Sequence, residues 1–425
     1  MKSHIQACYD KLLSILSSKE NRLTLIIILS GLLLRLVLMP ITLHHDLVST
    51  LWRSTLLNYD IIERSYGSAE LIISKYLLFL KPFLPNLPKD LAFGSYNSLT
   101  IGPDSMPFLQ FLGGREMFRY IFLVKLPFLL VDFALLWVII KYFSKNKWTV
   151  IFWAVNPFII YSTFMWGRFE IFPVFFATLA LAMTMKQRPV LAVIFLYIAI
   201  MLRMPFIIYL PVIIIANSKN WKQAIWLSLI GLVPYLLSSQ FVPQLFQKTP
   251  VIMTPNNFTP YLFTAKIGDG FNAISLFFIA EALIVFFAIK EKIKNQLTFK
   301  KVVFYLSLTV FSFYTFSFFN PQYIGWITPI IFLLIYIEKR IFFLAIAAFL
   351  PLFLFYDLYF KCNATLCLLQ PLSPTFFNSI FSISSQWPYT LPSDIYASFF
   401  RTIFVILLIY IVLIIRNKAY ENNPE

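Results

Sequence analysis

The chain has 425 residues, 59% of them hydrophobic and only 13% charged, with mean hydropathy +0.77 and a formal net charge of +16. So much apolar surface excludes an ordinary soluble domain and implies an integral membrane protein. In that setting the positive charge is an orientation signal and a contact for anionic lipid, so membrane lipids are expected partners and nucleic acid is not.

The lead, 1–22, is polar and mixed in charge, and is expected to stay in the cytoplasm. The apolar run after it is too long for a cleavable signal peptide and lacks a small-residue exit. A bilayer core takes roughly 20 apolar residues per helix, and apolar runs with basic ends give about twelve spans. They fall at 23–43, 119–143, 148–165, 171–185, 189–202, 205–216, 224–240, 271–289, 302–319, 323–337, 341–356 and 399–415. The basic clusters "KYFSKNKW", "MKQRP", "NSKNWKQ", "KEKIKNQLTFKK", "EKR" and "RNK" come after alternate spans and fit on one side, the cytoplasm.

The expected fold class is therefore all-α, a polytopic membrane helix bundle with two external loops, 44–118 and 357–398. The first is long enough to be functional and should carry amphipathic helices near 47–58 and 71–84. No internal repeat of the kind many transporters show is legible.

Several charged or aromatic residues fall on the external side, and each has two readings. Asp46, after His44 and His45, is either a helix N-cap or a base held at the membrane surface. The stretch "NPFIIYSTFMWGRFEIFPVFFATLALAM" is a helical hairpin whose polar turn holds Gly167, Arg168 and Glu170. Any hairpin needs such a turn, yet a guanidinium beside a carboxylate also suits a phosphate and a sugar hydroxyl. Arg203 interrupts two short spans, which favours a place near the interface, where a charge costs least. Lys125 and Asp132 lie seven apart on one helix face and, with Arg35, make a three-charge cluster: a structural clasp, or a site where Arg35 or Lys125 meets an anion. Gln322 and Tyr323, with Trp326 behind them, suit a sugar or an interfacial aromatic belt. Glu281 is lone and is given no role. Cys362 and Cys367 could form a local bridge, and the three histidines, His4, His44 and His45, do not make a metal site.

Taken together, the hairpin, "HHD" at the start of the first loop, "FLVKLPFLLVDFALL", "RMPFIIYLPVIII" and "NPQYIGWITPII" resemble the GT-C-fold membrane glycosyltransferases, which use a sugar carried on polyprenyl phosphate. The resemblance covers most of 23–337 and sets the domain plan: a cytoplasmic lead 1–22, a GT-C-like module 23–340 and a C-terminal part 341–425. It implies inverting transfer of a hexose such as mannose to a glycan, lipid or protein acceptor on the external face. Asp46 would then be the general base and Glu170 a second catalytic carboxylate. Substrate contacts would come from Arg203, Arg168, Arg53, His45, Lys125, Gln322 and Tyr323. Relatives commonly show Gln and Asp in the hairpin turn, where this chain has Arg168 and Glu170. No Asp-x-Asp or Glu-x-Asp pair lies near Asp46, so neither a divalent metal nor another cofactor is expected.

The rivals are a lipid-linked-saccharide flippase or other transporter, and a non-catalytic partner in glycan assembly. A flippase should spread polar residues along a path through the bilayer, whereas these gather on one face. A plasma membrane is the expected location, with the endoplasmic reticulum second; "NFT" at Asn257 and "NAT" at Asn363 have the form of glycosylation acceptors.

Overall fold

The structure is a computed structural model, and it describes residues 19–44, 47, 76, 79–83, 114–241, 264–268, 273–317, 319–359, 365–373, 376 and 393–421. The described chain is mostly helical, as expected. In order, α1 is Lys19–Ile41, α2 Gly114–Phe143, α3 Lys147–Val155, α4 Ile171–Met185, α5 Pro189–Leu202 and α6 Leu210–Asn217. They are followed by α7 Trp221–Phe241, α8 Leu276–Ile293, α9 Phe299–Phe316, α10 Thr328–Ile337, α11 Ile341–Tyr359 and α12 Ser393–Tyr420. Two-residue strands, β1 Lys266–Ile267 and β2 Ile274–Ser275, pair antiparallel just before α8.

Four segments, Arg22–Ile41, Glu116–Phe143, Lys147–Met165 and Ile395–Tyr420, are long and apolar enough to cross a membrane. Ile171–Met185, Pro189–Leu202, Met204–Asn217, Tyr323–Ile337 and Ile341–Asp357 are apolar but shorter. This is consistent with a membrane protein.

The boundaries have local causes. Asn146 caps α3 by accepting the Trp148 amide at 3.1 Å, and its own amide donates to the Ile335 carbonyl at 2.6 Å. Asn156 restarts the helix ahead of Pro157, its side-chain oxygen accepting from the amides of Phe158 and Ile159. The chain then widens into one π-helical stretch, Ile160–Met165, and turns at Gly167. Pro189 opens α5, and Arg203 ends it in an extended conformation before a 3₁₀ helix, Met204–Tyr209.

Two sets of contacts define two ends of the bundle. At one end α3 meets α10 through Asn146, α4 meets α6 through Asn217 and Thr184, and Lys292 of α8 donates to the Ala216 carbonyl. Tyr420 of α12 and Lys301 of α9 both bond Glu291 there, and the basic clusters lie among these residues. The opposite end gathers the end of α1, the turn 166–170, Arg203, the segment 319–327 and the 3₁₀ helix Leu366–Leu369.

α4 and α10 are buried along most of their lengths, so the core runs through them. α1, α8 and α12 turn leucine, isoleucine and phenylalanine outward, the pattern of helices facing hydrocarbon.

Candidate functional site

The candidate site lies at the end of the bundle away from the basic clusters, where three breaks in helical structure meet. The first is the turn after the π stretch. Gly167 has φ +72°, a left-handed backbone that only glycine adopts cheaply, and a Cβ there would stand 2.8 Å from Leu47 Cδ2 and 3.1 Å from Lys125 Cε. The turn is thereby pressed onto the start of the first loop. The second break is the extended residue Arg203 between α5 and the following 3₁₀ helix, and the third is the 3₁₀ helix Pro321–Ile327 that leads into α10.

These breaks place a carboxylate, a guanidinium and an indole in contact. Nε and Nη2 of Arg203 approach Oε1 of Glu170 at 3.1 and 2.8 Å. The Trp326 indole N–H donates to Oε2 of the same carboxylate. Glu170 is 0% exposed and Arg203 9%. The Phe169 ring supports the cationic side, with Arg203 Cζ 4.2 Å and Arg168 Cζ 5.3 Å from its centroid. Two guanidiniums and one carboxylate thus gather on one ring.

Glu170, expected as a second catalytic carboxylate, is enclosed by its partners. It has no exposure, and an arginine and an indole bond its two oxygens.

Lys125 differs from expectation. It does not join Arg35 and Asp132 in a three-charge cluster and presents no face to a ligand. Its ammonium is fully buried and donates to the carbonyls of Thr42 and Phe164 at 2.6 and 2.8 Å and to Oγ1 of Thr42 at 2.9 Å. It ties the end of α1 to the hairpin. Asp132 forms its ion pair with Arg35, at 2.7 Å, and this is the structural clasp.

Around the root of the first loop, His44 stacks on Trp166 with ring centroids 3.9 Å apart, and the Leu43 amide donates to the Leu368 carbonyl at 2.8 Å. Tyr161 and Thr365 share a hydroxyl contact at 3.3 Å. The C-terminal region thus reaches the start of the first loop, which its sequence did not announce. Tyr323, half-buried, stacks on Trp326 at 4.2 Å and 13°.

Among the expected site residues, His45, Asp46 and Arg53 lie outside the described residues, as do most of both external loops and Asn257, Cys362 and Asn363. The side chains of Gln322 and Cys367 also fall outside them. Glu281 accepts from Thr309 and Ser312 of α9 and belongs to the α8/α9 contact. Among the described residues, no group of three or more His, Cys, Asp or Glu side chains could hold a metal ion.

Trp326 and Phe169 are the site residues that sequence reasoning undervalued. Phe169 carried a signal, since an aromatic flanked by Arg168 and Glu170 in a tight turn can lie against the cations. Trp326 carried none that linked it to Glu170.

Comparison of the chain with known protein families, with characterised proteins and with solved structures found no match.

Proposed function

We propose that the chain is a GT-C-type membrane glycosyltransferase that moves a hexose, mannose in the first instance, from a polyprenyl-phosphate donor to a glycan, lipid or protein acceptor. The observation that carries this reading is the joint placement of Arg168 and Arg203 on Phe169, with Glu170 aiming one of them. They lie at the same end of the bundle as the start of the first loop, two residues before Asp46.

The reaction assigns the parts as follows. The acceptor O–H loses its proton to the Asp46 carboxylate while its oxygen forms a bond to the anomeric carbon. The bond from that carbon to the phosphate oxygen breaks, and the polyprenyl phosphate leaves with the electron pair. Arg203 and Arg168 would stabilise the charge growing on that phosphate. A positioned base is worth about 10² to 10⁴ in rate. Tyr323, stacked on Trp326, offers an aromatic face for a sugar ring. The energy comes with the activated donor.

The membrane arrangement belongs to the same proposal. About twelve helices cross, the basic end faces the cytoplasm, and the site faces the external or lumenal side, most simply of a plasma membrane.

The test is mass spectrometry of lipid-linked and surface glycans from cells carrying no copy, wild type, or Asp46→Asn at matched protein level. The null and Asp46→Asn cells are expected to lack the same single hexose. Full restoration by Asp46→Asn reduces Asp46 to a helix cap and moves the transporter and scaffold readings ahead.

A further inference from the structure

The segment 319–327 is unusual in how its backbone is held. A 3₁₀ helix entered through Asn320-Pro321 links α9 to α10, and side chains bond to carbonyls along it and just before it. Three tyrosines from three different elements make these bonds. Tyr356 of α11 donates to the Phe319 carbonyl at 3.0 Å, Tyr314 of α9 to that of Tyr323 at 2.7 Å, and Tyr209 to that of Trp326 at 3.2 Å. All three side chains are buried. A narrow apolar cleft beside the segment is lined by Phe206, Tyr209, Val310, Phe313 and Trp326.

The line of contacts continues to the charged group: the pinned backbone carries Trp326, Trp326 donates to Glu170, and Glu170 holds Arg203. We infer that Tyr209, Tyr314 and Tyr356 are positioning residues that lock the 319–327 segment as a platform and, through Trp326 and Glu170, set the orientation of Arg203 toward an anionic lipid phosphate. This rests on the phosphate role given to Arg203 above.

The probe is undecaprenyl phosphate, titrated onto the full-length protein in nanodiscs and read by native mass spectrometry, with undecaprenol as the uncharged control. Wild type is expected to prefer the phosphate; equal retention of both lipids removes the phosphate role itself. Given that preference, Tyr314→Phe, which keeps the ring and deletes only the hydroxyl, should weaken phosphate binding roughly tenfold, the scale of one lost buried hydrogen bond. Undecaprenol binding should not change.

The decisive step is a double-mutant cycle. In a Trp326→Phe background, or in Glu170→Gln should the first not fold, Tyr314→Phe should have no further effect, because the connection to Arg203 is already cut. Wild-type affinity in Tyr314→Phe, or an undiminished tenfold loss in both backgrounds, overturns the inference while leaving the phosphate role standing. Tyr209→Phe should repeat the result.

Discussion

Among the described residues two arginine–carboxylate pairs are buried, and they are built differently. Arg35 and Asp132 are both 0% exposed, and the guanidinium is bonded all round: Nε to Asp132, Nη1 to the carbonyls of Gly31 and Ala154, Nη2 to that of Trp153. The second carboxylate oxygen takes the Trp153 indole at 3.0 Å, and the Trp153 ring lies 4.4 Å from the guanidinium. Gly31 makes this closure possible, because a Cβ there would stand 2.3 Å from the Ala154 carbonyl oxygen where α1 crosses α3. Arg203 and Glu170 sit instead at a helix break at the bundle's end, with Glu170 0% and Arg203 9% exposed. Burial of charge alone does not mark a functional site. The first pair fastens α1 to α2 and α3, and it is to the second, at the break, that we assign a ligand.

The largest effect that would break this contrast is expected at the closed pair. Asp132→Asn removes the partner of a fully buried guanidinium and should lower stability by about 3–5 kcal/mol, seen as a large fall in the thermal midpoint of detergent-solubilised protein. Protein that does fold should keep its glycan phenotype. Glu170→Gln should show the reverse balance. The amide still offers Trp326 an acceptor, so stability should fall by about 1–3 kcal/mol, while the hexose addition is lost because Arg203 is no longer aimed. If Asp132→Asn abolished transfer in well-folded protein while Glu170→Gln left it intact, the two assignments would have to be exchanged. Gly167→Ala gives the smallest effect and sharpens the comparison by touching neither pair. A left-handed alanine costs about 1–2 kcal/mol, and its methyl would push on Leu47 and Lys125. It should move Arg168 and the loop root, with transfer reduced more than the thermal midpoint.

Much of the fold was legible in the sequence because each helix is announced by contiguous residues. The 189–202 and 171–185 runs coincide with α5 and α4, since Pro189 starts one and the Gly167 turn precedes the other. The gathering of polar residues at one end was legible for a similar reason. Lys and Arg mark one set of helix ends so plainly that Arg168, Glu170, Arg203 and Tyr323 are left at the other. The break at Arg203 followed from a charge between two short apolar runs, and it is there.

What the sequence by itself determined is thus everything set by neighbours along the chain: helix positions, the hairpin, the break and the charge asymmetry between ends. Only the tertiary structure decided the pairings, which join residues 97 apart for Arg35 and Asp132, 33 apart for Arg203 and Glu170, and 156 apart for Trp326 and Glu170. It also decided that Lys125 spends its charge on backbone carbonyls rather than on Asp132, although the two share a helix face. The physical reason is that a buried polar group is satisfied by whichever partner packing brings within about 3 Å, and spacing along one helix does not specify what its neighbours present. The three tyrosines that hold the 319–327 segment are the extreme case, since each looks like one more aromatic in an apolar helix until its hydroxyl meets a carbonyl of another element.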